Sequence, residues 1–249
     1  MSSKTNDKNN NIVKAKNDNK FKAFFRAFIP KHISNRVVVD IYDFLRVIQH
    51  LNPINYTRHE QENVDLFKNH REVIKRDNGF VEDQCNYTDM KYGKVNMRFS
   101  GCEIFATYNA MYSIHGHNPI TLPEMITEYE KNGMVLSGFF GTSPKAIMKY
   151  LNGHGYVTKF SMKDSEYDRI ADEYETAILT IYNDGLDIMK AVHTVNVSKH
   201  NGKYLAHNVN CNGKVQGPFD SISDMMTKIN HGKSKAISLI GVSRSDGAK

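Results

Sequence analysis

The chain has 249 residues, 40% of them hydrophobic, and a formal net charge of +6, so it holds enough apolar material for one sizeable core. The sequence is basic, but it shows neither alternating aromatic and basic residues nor a nucleic-acid-binding motif, so we expect no nucleic-acid partner. With no run of about 18 apolar residues, we expect no transmembrane helix. The short apolar segment at 21–30 carries Lys22 and Arg26, which argues against a signal peptide and predicts a cytoplasmic protein.

The cysteines are three, Cys85, Cys102 and Cys211. They show neither Cys-x-x-Cys pairs nor the Cys/His spacing of a zinc site. An odd number also fits poorly with a set of disulfides. The sequence therefore predicts neither a disulfide framework nor a metal site, and Cys85 and Cys211 are interpreted as structural or incidental thiols.

The N-terminal region divides into two parts. Residues 1–20 are almost all Asn, Lys, Asp and Ser, which predicts a disordered tail. Residues 21–51 place apolar side chains at three- and four-residue intervals, interrupted at Pro30, and this predicts two amphipathic helices. They form either an extension packed on the core or a pro-segment over the site, and their basic part, 21–36, is a candidate for weak contact with a membrane surface. The remaining residues, 52–249, are predicted to form the main domain.

The first half of that domain is predicted to be helical after an irregular start. Residues 52–95 show turn residues and no clear period. Apolar residues then recur with helical period after Cys102, which predicts a buried helix beginning there. Two more helices are predicted at 122–132 and 143–151, each with Pro near its first turn.

The second half changes to a period of two, which is typical of strands. Strands are predicted at 176–182, 193–198, 203–209 and 236–242, with an Asn-Gly turn at 201–202 and a helix at 219–230. Helices followed by an antiparallel sheet predict an α+β domain with the helices on one side of the sheet.

Cys102 is the candidate nucleophile. A thiol at a helix N-terminus lies near unpaired amides and the positive end of the helix dipole, and both are expected to lower its pKa. Gly101 would let the chain turn tightly before it. The same amides can stabilise a tetrahedral oxyanion.

His193 is the candidate base, because it begins a predicted strand that leads into a hairpin. If Asn201 and Gly202 are the central turn residues, His193 faces Asn210, and Asn208 lies one alternate position away on the same face. An amide on the neighbouring strand can orient the imidazole and hold its tautomer.

The order Ser-Gly-Cys-Glu opening a helix, then His-Thr-Val-Asn-Val, a hairpin and an Asn resembles the papain-like cysteine peptidases of bacteria. It looks closest to the branch that processes bacteriocin leaders. The resemblance covers about residues 84–243 and implies a papain-like fold. Its spacing from the histidine selects Asn208 as the third member. It also implies a Gln before the cysteine to complete the oxyanion hole, where this chain has Asn96; Gln84 is the alternative, and we favour Asn96.

These residues predict a cysteine peptidase or amidase that acts on a peptide or protein substrate through an acyl-enzyme and needs no cofactor. The same site would serve an acyltransferase or transpeptidase if an amine resolved the intermediate. A catalytically idle peptide-binding module is the further alternative.

Overall fold

The structure is a computed structural model that describes residues 33–51, 58–76, 78–183 and 192–245. The predicted tail at 1–20 and the first predicted helix of the extension lie outside the described residues. Within the described ranges, no helix is both long enough and apolar enough to cross a membrane.

Eight helices are described, and several begin at a recognisable cap. The helix at 122–132 starts with a capping box between Thr121 and Glu124. The bounds are α1 Asn35–Leu51, α2 Arg58–Arg76, α3 Met97–Ser100, α4 Cys102–His115, α5 Leu122–Asn132, α6 Pro144–Gly153, α7 Asp164–Glu173 and α8 Ile222–Lys228.

The described strands are β1 Lys91–Tyr92, β2 Val95–Asn96, β3 Tyr156–Ser161, β4 Thr176–Tyr182, β5 Val192–His200, β6 Lys203–His207, β7 Gln216–Phe219 and β8 Lys235–Arg244. Six of them form one antiparallel sheet at the centre of the molecule, in the order β3-β8-β4-β5-β6-β7. The other two, β1 and β2, form a separate hairpin.

The core lies on both faces of this sheet. On one face, Ile178 and Ile240 pack with the apolar side chains of α4, α5 and α6. On the other, Leu179 and Val195 pack with those of α7 and α8. The α+β class with an early helix on an antiparallel sheet is confirmed. The expectation that helices cover one side only is wrong, because α7 and α8 bury the odd-numbered side chains of β4 and β5.

The segment 52–95, predicted to be irregular, contains the 19-residue helix α2. Its inward residues are Asn63, Phe67, His70 and Ile74, all buried and spaced by four, three and four. Two of the four are polar, so the apolar period is too sparse to show in the sequence. The prediction failed because hydrogen bonds replace apolar contacts: the Asn63 side chain bonds the backbone of Lys91 through both its amide atoms.

The unpredicted elements also include β3, α7, β7, the short helix α3 and the small hairpin β1–β2. β3 alternates weakly and α7 is mostly charged, with Tyr167, Ile170 and Ala171 as its buried residues. The helix predicted at 219–230 is shorter, since Phe219 belongs to β7 and Ser221 caps α8. The α4 and β4 predictions agree with the structure.

Helix α1 packs on the domain. Val38, Val39 and Tyr42 are buried against Val135 and Phe140. Asn35 ties the start of the helix to the carbonyls of Met162 and Ala236. This part of the predicted extension is therefore integrated into the core.

Cys85 and Cys211 form a disulfide, with their Cα atoms 5.5 Å apart and a sequence separation of 126. The expectation that they are thiols without a partner is wrong. An odd number of cysteines does not exclude a disulfide, because two of the three can bond and leave Cys102 free. The bond joins the 3₁₀ turn Gln84–Asn86 to the loop that follows β6.

Reduction of this disulfide is expected to destabilise the protein, because a long closed loop constrains the unfolded chain. The Cys85→Ser/Cys211→Ser double variant should lose about 2–5 kcal/mol of unfolding free energy. Thermal unfolding with and without a reductant measures the effect. The double variant is the control, since the reductant should not shift its melting temperature; a wild type that ignores the reductant would show that the bond does not form.

Candidate active site

The candidate nucleophile lies at a sharp junction between two helices. The short helix α3 ends at Ser100, and α4 begins at Cys102 with Gly101 between them. A Cβ on Gly101 would lie 2.5 Å from the carbonyl oxygen of Met97. Because any side chain would clash with backbone, the junction requires glycine. The N–H of Gly101 donates to Met97 O at 2.9 Å, so it is already bonded.

The Cys102 thiol is buried, with 7% of the residue exposed. Its Sγ donates a hydrogen bond to Oε2 of Glu103 at 3.2 Å. A backbone hydrogen bond from Thr194 also reaches the sulfur. Thr194 directly follows His193 in β5, so the fold brings the helix start against the strand that carries the candidate base.

The pKa of Cys102 is raised well above its usual value, chiefly by burial and then by the adjacent Glu103 carboxylate. The backbone hydrogen bonds oppose this shift without overcoming it. The expectation of a lowered thiol pKa is wrong for this structure, because desolvation penalises a thiolate more than the helix end stabilises it. Burial also raises the pKa of Glu103 to about 7.

A pocket opens beside the sulfur. Gly141 makes room for the Glu103 side chain, since a Cβ there would lie 2.7 Å from its Oε2, and its φ of +63° also suits glycine. Aromatic rings form most of the remaining wall. The lining residues are Tyr42, Phe99, Ser100, Cys102, Glu103, Phe139, Phe140, Gly141 and Val192.

His193 is half-buried, and its Nε2 lies 2.6 Å from the backbone oxygen of Asn208. A carbonyl only accepts, so Nε2 carries the proton and Nδ1 is the basic nitrogen of the neutral ring. Burial lowers the pKa of His193, and the hydrogen bond to Asn208 opposes that effect. A lowered pKa for His193 and a raised pKa for Cys102 both favour the neutral forms of the two side chains.

The predicted hairpin register is confirmed, with Asn196 opposite His207 and His200 opposite Lys203. The pairing stops at His207, however, before it would set Asn210 opposite His193. Asn208 has a φ of 59°, so the chain turns there and presents its carbonyl to the imidazole. Asn208 is buried, whereas Asn210 is exposed.

The two candidates for the oxyanion hole have different surroundings. Asn96 caps α3: its Oδ1 accepts from the N–H of Phe99, and its Nδ2 donates to the carbonyl of Thr88. Gln84 exchanges two hydrogen bonds with the Asn208 side chain, one through its backbone N–H and one through its Oε1. The structure thus joins Gln84 to Asn208 and commits the Asn96 amide to a helix cap, which argues against the preference for Asn96.

Glu82 holds this corner of the site, and no sequence pattern pointed to it. Its Oε1 accepts from Nδ1 of the buried His207 at 2.6 Å, and its Oε2 accepts from the N–H of Asn208 at 3.1 Å. Phe80 stacks on the His207 ring with centroids 3.8 Å apart. Glu82 therefore holds the backbone N–H of Asn208, the residue whose carbonyl orients His193.

Among the described residues, one group has the side-chain types of a metal site: Asp83, Cys85 and Cys211, whose ligand atoms lie within 4.8 Å of one another. Its two sulfurs are bonded to each other. A disulfide lacks the thiolates that bind metals, so the oxidised site does not fit a metal ion.

No protein-family model and no curated protein matches the chain. Among solved structures, it is similar to the peptidase domain of Streptococcus ComA, a bi-functional ABC transporter involved in a quorum-sensing pathway. The alignment covers 62% of this chain and 99% of that domain, with 14% identity and a TM-score of 0.40.

Glu103→Gln is expected to make Cys102 more reactive, because it removes the negative charge beside the thiol and so lowers its pKa. Because folding raises the pKa of Glu103 from 4.5 to about 7, its contribution to the unfolding free energy is fully present below pH 4.5. That contribution is lost as the pH rises through about 7. The variant should therefore exceed the wild type in stability above neutral pH, by about 1–3 kcal/mol. Iodoacetamide rates and urea unfolding across pH measure both effects; an unchanged pH–rate midpoint would contradict the role of Glu103.

Asn208→Ala is expected to slow Cys102 alkylation less than His193→Ala does, because alanine keeps the carbonyl that accepts from the imidazole. It loses the bonds to Gln84 and places alanine in left-handed backbone, at about 1–2 kcal/mol, so melting should occur a few degrees lower. Asn210→Ala, at an exposed position, is the matched control. Equal losses in Asn208→Ala and His193→Ala would show that the Asn208 side chain, rather than its carbonyl, orients the ring.

Proposed function

We propose that the protein is a papain-like cysteine peptidase or amidase acting on a peptide or protein substrate. The observation that carries this proposal is the meeting of a helix-start cysteine with the strand of an oriented histidine. Cys102 bonds the backbone of Thr194, and the neighbouring His193 has its Nε2–H fixed by the Asn208 carbonyl. This arrangement leaves Nδ1 as the proton acceptor of a Cys-His pair.

In the proposed reaction, His193 Nδ1 takes the proton from Cys102 Sγ as the sulfur attacks the substrate carbonyl carbon. The tetrahedral oxyanion collapses, the C–N bond breaks, and the leaving amine takes the proton from His193. Water then attacks the thioester, giving one proton to His193, and Cys102 recovers a proton as the acid leaves. All proton transfers use side chains of the chain itself.

Glu103 sets the resting state in this scheme. Its carboxylate accepts the thiol proton in a hydrogen bond at 3.2 Å, which keeps Cys102 as a thiol until substrate enters the pocket. Because burial raises the pKa of Glu103 to about 7, protonation of its carboxyl near neutral pH removes the charge that opposes thiolate formation.

An acyltransferase or transpeptidase is the same chemistry with an amine in place of water. A peptide-binding module without turnover is the second candidate, and the raised pKa of the Cys102 thiol is the observation that favours it. The two are separated by whether Cys102 forms a covalent adduct with a peptidyl electrophile.

We expect a peptidyl electrophile at near-neutral pH to label Cys102 alone, because it is the free cysteine of the described residues. Mass spectrometry of the digested protein locates the adduct. His193→Ala should slow labelling at least about tenfold, since a positioned general base contributes about 10²–10⁴-fold. Cys102→Ala should bind no label.

Labelling at equal rates in the wild type and in His193→Ala would contradict the pairing and favour the peptide-binding module. The control for pocket access is a small alkylating agent applied to the urea-unfolded protein, in which both variants should react alike.

A further inference from the structure

Helix α1 has a second apolar side that faces outward. Val37, Phe44, Val47 and Ile48 are 45%, 64%, 44% and 42% exposed. Their spacing of seven, ten and eleven residues from Val37 places them on one side of the helix. Four of the eight exposed large apolar side chains among the described residues thus lie on this one helix face, named here the outer stripe.

The inner side of α1 already accounts for its packing on the domain. Val38 and Tyr42 are buried with Phe140, so the outer stripe is not needed to hold the helix in place. Exposed apolar side chains gathered on one face of a helix mark an interaction surface more often than scattered ones do.

The sequence that leads into the outer stripe is basic. Asp40 lies beside it, but its carboxylate bonds Lys145 at 2.9 Å and lies 3.7 Å from Arg36. In sequence, the first 36 residues contain nine Lys and Arg and two Asp, a net charge of +7 in a chain whose total is +6. The entire positive excess therefore directly precedes the outer stripe.

We propose that the outer stripe of α1, together with the basic residues before it, binds the surface of an anionic lipid bilayer. Such a surface offers apolar depth for Phe44 and Ile48 and negative charge for the Lys and Arg residues. Basic residues near such a surface contribute about 1 kcal/mol each. A second copy of the chain fits less well, because each copy carries a net charge of +6 and like charges repel.

Membrane binding would also place the candidate active site. Tyr42, on the inner side of α1, lines the pocket beside Cys102. A helix with its side chains is about 10–12 Å across, so a bilayer on the outer stripe would lie about one helix diameter from that wall of the pocket. The proposal does not depend on the chemistry of Cys102, and its test needs no activity.

The test is co-sedimentation of the full-length protein with vesicles of phosphatidylcholine alone or in equal parts with phosphatidylserine. We expect sedimentation with the anionic vesicles and its loss at high salt. Phe44→Ser/Ile48→Ser should bind them at least about tenfold more weakly, since burial of such side chains is the apolar part of the affinity. Val215→Ser, at an apolar residue that is 45% exposed on the loop before β7, is the matched control and should bind like the wild type.

Thermal unfolding confirms that the double variant is folded, because both side chains point away from the core. Equal binding by the wild type and the double variant overturns the proposal, as does the absence of sedimentation with anionic vesicles. Equal binding to neutral vesicles overturns its electrostatic part. A wild type that dimerises in solution, with a monomeric double variant and no vesicle binding by either, assigns the outer stripe to a second copy.

Discussion

The buried position of α4 governs the rest of the site. Every residue from Cys102 to Met111 in this helix is buried, because α5 and α6 cover it from one side and the sheet covers it from the other. This packing sets the sulfur against β5 with little freedom. The same burial raises the free energy of a thiolate, so the constraint that positions the candidate nucleophile also keeps it protonated. The residues around Cys102 matter chiefly through how they change that balance.

Two buried carboxylates influence the balance in different ways. Glu103 contacts the sulfur, and its charge disfavours the thiolate. Glu82 instead bonds the His207 ring and the backbone N–H of Asn208. Removing one partner of a buried hydrogen bond leaves the other polar group unsatisfied, so Glu82 and His207 constrain each other. Glu82 and His207 therefore act on His193 indirectly, because Glu82 holds the N–H of Asn208 and the carbonyl of Asn208 bonds the imidazole of His193.

Sequence patterns predicted the parts of the fold that depend on local chemistry. The Asn-Gly turn fixed the register of β5 and β6, and the apolar period identified α4 as a buried helix. The patterns failed where polar contacts between distant segments replace apolar ones, as in α2 with Asn63. They also could not show that β6 ends at His207 or that Glu82, 126 residues earlier than Asn208, would hold the turn. Such partners have no spacing that a single sequence reveals.

The disulfide links the site to its chemical surroundings. Cys85 directly follows Gln84, and Cys211 is three residues beyond Asn208, so the bond ties together the two loops whose amides pair in the site. Disulfides persist in oxidising compartments and are rare in the cytosol, which sets this bond against the cytoplasmic location expected from the sequence. In an oxidising environment the covalent link holds Gln84 against Asn208. In a reducing one, two amide hydrogen bonds of about 1 kcal/mol each hold them, and the carbonyl that orients His193 is correspondingly less restrained. The redox state of this pair therefore changes how firmly the candidate active site is held together.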